Sequence, residues 1–456
     1  MPAIKIMCLG GGSLYFRHVL GNFALEEKLA GSDIVLYDID SEKAELMAAL
    51  GRRLNDLAGG RLNITATGDV DEAVDNADYA LSSIGGSGAE IVRGVHGSYF
   101  HSTDLHISAR YGIQFAVGDT AGPAGMMMGL RSIPAHIDIC RRMEKRCPDV
   151  VFLNHSNPMA AIMRALHKYT GIKSYGLCHG VQGGIAAAAQ LLELPADELE
   201  CRWVGTNHYY WFTRVHHRGC DVLPELMERT RSCEPHVDHA MSAALSNIYG
   251  HRIVYPDDGH ILEFYPFATQ ARAQDELPYN MADSARRHGF DAAAEKPEKQ
   301  EPTPELRRSF IADYQTLLNE TQLPAQKEDA RSGEGPAQII AAMATGRRMV
   351  CIVNIANNGA IPNLPATAEV EVEALTETRG ARALVMGDAP LVLKGILEKR
   401  FVWQELVADA AVTGDRNKAL QAMMVDEMAI EPGKAEALLA DLLQASRDLL
   451  PAGFFD

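Results

Sequence analysis

Apolar positions in the first half of the chain fall into short runs separated by amphipathic stretches. Ile4 to Leu9 is one such run and ends in Gly10-Gly11-Gly12-Ser13. A helical stretch follows from about Leu14 to Leu29. Asp33 to Asp38 then reads as a second buried strand with an acid at its end. Ser41 to Ala58 has helical periodicity, with Asp40 or Ser41 placed to cap it. Leu62 to Thr67 and Tyr79 to Ile84 read as strands around a short helix, Asp71 to Asn76. The same alternation continues with helices over Met126 to Cys147, Met159 to Tyr169 and Gly183 to Leu192, and strands over Val150 to Leu153 and Ser174 to Leu177. Short, nearly continuous apolar strands between helices predict a parallel sheet covered on both faces.

The second half has a different texture. Arg202 to Val215 is strand-like and aromatic, and residues 270–330 are polar. The run Glu295-Lys296-Pro297-Glu298-Lys299-Gln300-Glu301-Pro302 reads as a surface loop. Met349 to Ile355 and Ala368 to Ala374 read as strands flanking Asn357-Asn358-Gly359, and the chain is helical from Arg416. The predicted fold class is α/β. A Rossmann-like, doubly wound parallel sheet spans residues 1–198, and a mixed α+β domain spans 199–456.

Composition narrows the function classes. At 456 residues the chain exceeds one ordinary core. Hydrophobic content of 47% with 23% charged residues is that of a soluble globular protein. A net charge of -17 argues against nucleic acid as a partner. No apolar run approaches the roughly 18 residues that span a bilayer. The eight cysteines are scattered without a close CxxC pair, which predicts reduced thiols. With no basic, cleavable start, a cytoplasmic location is expected.

Ligands of such sheets bind beyond the carboxyl ends of the strands, and three motifs converge there. Gly10, Gly12 and Ser13 form a strand-to-helix turn that lets backbone approach a pyrophosphate, although Tyr15 replaces the third glycine of the dinucleotide motif. Asp38 can bind both ribose hydroxyls of NAD and would repel the extra phosphate of NADP. The second motif is Asn154-His155-Ser156-Asn157-Pro158 and the third is Cys178-His179. Cys178 and His208 are candidate metal ligands, with His155, His216, His217, His251 and His260 as competitors that spacing does not separate.

Taken together, Gly10 to Ser13, Asn157-Pro158, Cys178-His179, Asn207-His208 and Asn363-Leu364-Pro365 resemble glycoside hydrolase family 4, the NAD- and divalent-metal-dependent glycosidases. Gly118-Asp119-Thr120-Ala121-Gly122-Pro123 and Leu130-Arg131-Ser132-Ile133-Pro134 extend the resemblance nearly end to end. It implies a two-domain architecture like that of lactate and malate dehydrogenases, assembled as a homodimer or homotetramer. It also implies NAD and Mn²⁺ as cofactors, with Cys178 and His208 holding the metal. Hydride would leave C3 of a glycoside, a base would take the C2 proton, the aglycone would leave, and water and hydride would then return. Asp258, with Asp257 as fallback, is the expected base. His179 or Asp119 is the expected proton donor, and Asn157 and His179 are expected to contact the sugar. His179 after the Cys points to the α-galactosidase, α-glucosidase or α-uronidase branch and to a non-phosphorylated sugar. Gly180 departs from the Ser typical of α-galactosidases and leaves the sugar open. A hydroxy-acid dehydrogenase, which would consume NAD, is the competing expectation.

Overall fold

The computed structural model describes residues 3–85, 99–233, 239–255, 258–269, 304–319, 323, 335–426, 428 and 430–455. Its main sheet has nine strands. Six are parallel, in the order β3 (Asn63–Thr67), β2 (Asp33–Tyr37), β1 (Lys5–Leu9), β4 (Tyr79–Ser82), β5 (Val151–Asn154) and β6 (Lys173–Gly176). That 3-2-1-4-5-6 order is the doubly wound dinucleotide-binding arrangement, with its switch point between β1 and β4. Their apolar residues are buried on both faces, which is why they read as runs rather than alternations.

The connecting helices follow the predicted periodicity. α1 is Tyr15–Leu25 and continues as a separate 3-10 turn at Glu27–Leu29, where one helix was expected. The Glu26 side chain accepts from Lys28 N, and this local bond starts the new turn. α2 is Ser41–Leu57, and Asp40 caps it by accepting from Lys43 N at 3.2 Å. α3 (Val70–Val74), α4 (Tyr99–Arg110), α5 (Gly122–Arg146), α6 (Met159–Tyr169) and α7 (Gly180–Leu192) complete this half.

The aromatic stretch is a hairpin rather than one strand. β7 (Leu199–Thr206) and β8 (Tyr209–His217) pair antiparallel, with β9 (Cys220–Asp221) beyond them and the helix α8 (Leu223–Ser232) following. The turn is Asn207-His208, and His208 takes φ +62°, a left-handed conformation that is uncommon for a side chain-bearing residue. Trp203, Tyr210, Trp211 and Phe212 bury themselves in a second core between this hairpin, α7 and the sheet's far edge.

Late strands then return to the first sheet. β10 (Val350–Ala356) pairs antiparallel with β6 at Asn354 and Gly176, and β11 (Glu369–Glu377) and β12 (Gly380–Ala383) follow outward. The helices Leu391–Thr413, Arg416–Val425 and Pro432–Ala445 pack with α5 and α6 over one face. The helix Pro336–Thr345 joins α1 and α2 on the other. Among the described residues no helix is long and apolar enough to cross a membrane.

Candidate active site

The site forms where the ladder runs past the strand ends. Gly11 N donates to Tyr37 O, Ser83 N to Leu9 O, His155 N to Ser82 O and Leu177 N to Asn154 O, each at 2.8–2.9 Å. These bonds align the loops after β1, β2, β4, β5 and β6 along one edge. Gly10 turns at φ +71°, and a Cβ there would lie 2.6 Å from Ser83 O. Gly12 N donates to Asp38 Oδ2 at 3.0 Å, and Asp40 N to Asp38 Oδ1 at 2.9 Å. Burial pushes Asp38 up from the usual carboxylate range, against these two amides. Gly10, Gly12, Ser13 and Asp38 therefore meet in one turn.

A row of rings leads from that turn to Cys178-His179. Tyr15 lies 4.8 Å from His155, and His155 lies 5.9 Å from His179, centroid to centroid. Tyr15 Oη and His155 Nε2 are buried with no hydrogen-bond partner among the described residues. Burial, with His179 adding to it, drives His155 down to about 3, so its ring is neutral. His179 itself is exposed at the start of α7.

A second group assembles beside this row. The ligand atoms of Asp119, His208 and His260 all lie within 4.8 Å of one another. Asp119 Oδ1 accepts from Thr120 Oγ1 and its Oδ2 from Asn157 Nδ2, both at 2.8 Å. Burial alone would raise this carboxyl, but the His260 and His208 imidazoles and the two hydrogen bonds hold it down at about 2. It stays a carboxylate, which suits a ligand and not a proton donor. Thr120 spends its single hydrogen on Asp119, so at 3.0 Å it accepts from His208 Nδ1. That tautomer leaves Nε2 of His208 with a lone pair for a cation. Tyr255 stacks flat on His208, with centroids 5.1 Å apart and planes at 5°, and meets His260 edge-on.

Cys178 is not a member of that three-residue group. It is half-buried at the end of β6, and its Sγ accepts from Gly180 N at 3.4 Å. Burial and the Glu371 charge push its thiol up, while Gly180 N and the Asn207 side chain oppose them. Asn207 in turn donates to Glu371 Oε2 at 3.1 Å. The competing His217 is occupied elsewhere, bonded to Glu198 at 2.8 Å. Gly180 has a packing reason: a Cβ there would sit 1.9 Å from Tyr210 Oη and 2.9 Å from the Tyr255 ring.

Asp258, expected as the base, is committed to another task. It is fully buried, and its carboxylate accepts from Met241 N and Ser242 N, each at 2.7 Å, and from Ser242 Oγ. These are the first amides of α9 (Ala240–Tyr249), so Asp258 caps that helix across the fold. Asp257 lies outside the described residues. Sequence reasoning missed Tyr255 and Glu263 and left His260 undecided. His260 had a signal in the Asp257-Asp258-Gly259-His260 run, but only the fold brings it to Asp119.

Comparison with known proteins identifies the family. The pattern described as "Family 4 glycosyl hydrolase" matches residues 5–194, and "Family 4 glycosyl hydrolase C-terminal domain" matches residues 203–429. The chain belongs to glycosyl hydrolase family 4. It is 30% identical to an alpha-galactosidase of Bacillus subtilis (strain 168), covering 98% of each chain. It is 29% identical to an alpha-galacturonidase of the same organism, covering 97% of this chain and 98% of that one. A 6-phospho-alpha-glucosidase from gut microorganisms, solved in complex with NAD and Mn2+, shares the fold at a TM-score of 0.77 and 21% identity, over 98% of this chain and 99% of that one. Family 4 membership makes the chain a glycosidase and places its Rossmann-like and α+β parts within one known architecture.

Proposed function

We propose that this family 4 glycosidase cleaves a non-phosphorylated, α-linked glycoside, an α-galactoside first, by oxidation at C3, elimination, addition of water and reduction. The reading is carried by one observation: the nucleotide turn, the Cys178-His179 pair and the Asp119–His208–His260 group share one edge of the sheet. The relatives named alpha-galactosidase and alpha-galacturonidase, and His179 after the Cys, support the sugar class.

The residues fit both cofactors. Gly10, Gly12, Ser13 and Asp38 would hold the dinucleotide, and the orphaned Tyr15 Oη and His155 Nε2 are buried polar atoms suited to its far end. Asp119, His208 and His260, with Cys178 alongside, are a mixed carboxylate, imidazole and thiol donor set able to hold a divalent metal ion, and the carboxylate is the donor among them that suits Mn²⁺. When bound, NAD supplies a reversible hydride acceptor at sugar C3, and the ion supplies Lewis acidity at O2 and O3. Asn157 fixes the Asp119 carboxylate and faces the sugar alongside it. His179, exposed at the mouth, protonates the departing aglycone oxygen. Tyr255, whose ring lies flat on His208, takes the C2 proton in its phenolate form and becomes the phenol, a role that Asp258, with both oxygens on α9, leaves open.

The test is a panel of nitrophenyl α- and β-galactosides, glucosides and uronides with NAD⁺, Mn²⁺ and a thiol reductant. The α-galactoside should turn over fastest without NADH accumulating. Faster α-glucoside or α-uronide cleavage would move the sugar assignment, and NADH formed in step with turnover would replace it with a dehydrogenase.

A further inference from the structure

The three members of the Asp119–His208–His260 group come from three separate segments, so something must fix those segments to one another. Asp119 lies in a tight loop bounded by Gly118 and Gly122, both at φ +69°. A Cβ at Gly122 would fall 2.2 Å from the Phe115 ring, so only glycine fits at the end of this loop. The loop runs into the N-terminus of α5, where the first amides lack intrahelical partners.

Glu263 meets the last two amides of the loop, just ahead of α5. It follows His260 by three residues in the short helical segment Asp258–Phe264, and it is 1% exposed. Its Oε2 accepts from Thr120 N at 3.0 Å and from Ala121 N at 3.1 Å. Its Oε1 has no hydrogen-bond partner among the described residues. A second carboxylate brackets the loop from the other side. Asp426 Oδ2 accepts from Gly122 N at 2.6 Å while Oδ1 pairs with Arg400 at 2.5 Å. Arg400 lies over the ring of Phe264, the neighbour of Glu263, at 5.0 Å.

We infer that Glu263 is a positioning residue for the metal site: by bolting the segment that carries His260 to the loop that carries Asp119, it sets the spacing of the two ligands. The inference rests on the metal reading given above. Thr120 has two attachments, its amide to Glu263 and its hydroxyl between Asp119 and His208 Nδ1. Displacing Thr120 therefore disturbs Asp119 and His208 together and shifts both relative to His260, whereas the nucleotide turn makes no contact with Glu263 in the hydrogen bonds described.

The experiment is Mn²⁺ titration of the purified full-length enzyme followed by electron paramagnetic resonance, with NAD affinity and the thermal midpoint measured on the same samples. Three variants are compared with wild type. Glu263→Gln keeps an acceptor oxygen in place and should bind Mn²⁺ within a few-fold of wild type. Glu263→Met keeps the volume without an acceptor, and Glu263→Asp keeps the carboxyl group with a shorter reach. Both should weaken Mn²⁺ binding by roughly 10- to 100-fold, as for outer partners of metal ligands, while NAD affinity stays put. If Glu263→Met does not fold, Glu263→Asp decides. Wild-type Mn²⁺ affinity in a folded Glu263→Asp or Glu263→Met protein would overturn the positioning role. Failure of wild type itself to bind Mn²⁺ would instead overturn the metal reading on which it rests.

Discussion

Replacing Asp258 separates a structural cap from a catalytic base. The carboxylate is fully buried and receives two amides at 2.7 Å and the Ser242 hydroxyl. Asp258→Ala removes an N-cap worth about 1 kcal/mol and strands buried donors at about 1–3 kcal/mol each before any water enters. It also leaves Arg252, itself 8% exposed, without the Asp258 charge that favours its cationic form. A net loss of about 2–4 kcal/mol follows from these terms. At about 2.1 cal/mol/K per residue, a 456-residue chain unfolding as one unit would melt about 2–4 °C lower. Asp258→Asn keeps one acceptor oxygen and should lose about half as much. The assay is differential scanning calorimetry, with kcat measured on the folded enzyme well below the transition. Asp258→Asn should show a lowered midpoint and a nearly unchanged kcat. An unchanged midpoint with kcat down about 100-fold or more, as for a lost general base, would refute the capping assignment.

Other outcomes follow from the same geometry. Tyr255→Phe keeps the ring stacked on His208 and removes the hydroxyl, so Mn²⁺ binding should persist while kcat falls roughly 10²- to 10⁴-fold; a kcat near wild type would remove Tyr255 from proton transfer. Cys178→Ser should raise the Mn²⁺ concentration needed for half-maximal activity without moving NAD affinity. An unaltered Mn²⁺ dependence would take the thiol out of the metal site. His136 is fully buried, donates from Nδ1 to Ser132 O and accepts at Nε2 from Ser82. Burial lowers it to about 4 from 6.5, against its bond to Ser132. Between those values the unfolded chain takes up a proton that the folded one refuses. Its contribution is therefore intact above pH 6.5 and lost as pH falls toward 4, with a slope of at most about 1.4 kcal/mol per pH unit. Urea midpoints of wild type and His136→Gln across pH 5–7 check this, and identical pH slopes would contradict it.

The parallel half of the fold is legible in the sequence because its strands are buried on both faces and its helices carry caps, as Asp40 does for α2. The hairpin of β7 and β8 is not, because Asn207-His208 interrupts an aromatic stretch without the Gly or Pro that marks most turns. Nor does local pattern announce that β10 returns to pair with β6. At the candidate site, the meeting of Gly10, Gly12, Ser13 and Asp38 in one turn is legible because neighbouring backbone brings them together. His260, Tyr255 and Glu263 could not, because their partners Asp119, His208 and Thr120 lie in distant segments. The engagement of Asp258 with α9 is hidden for the same reason: an Asp-Asp-Gly run shows a carboxylate, while its bonds to Met241 and Ser242 exist only in the folded chain.

The proposed chemistry passes through loss of the C2 proton, and that atom gives the most direct measurement. An α-galactoside is turned over in D₂O with NAD⁺, Mn²⁺ and reductant, and the released galactose is examined by proton NMR. The product should carry deuterium at C2, with no build-up of NADH. Product that keeps its C2 proton through complete hydrolysis would contradict it.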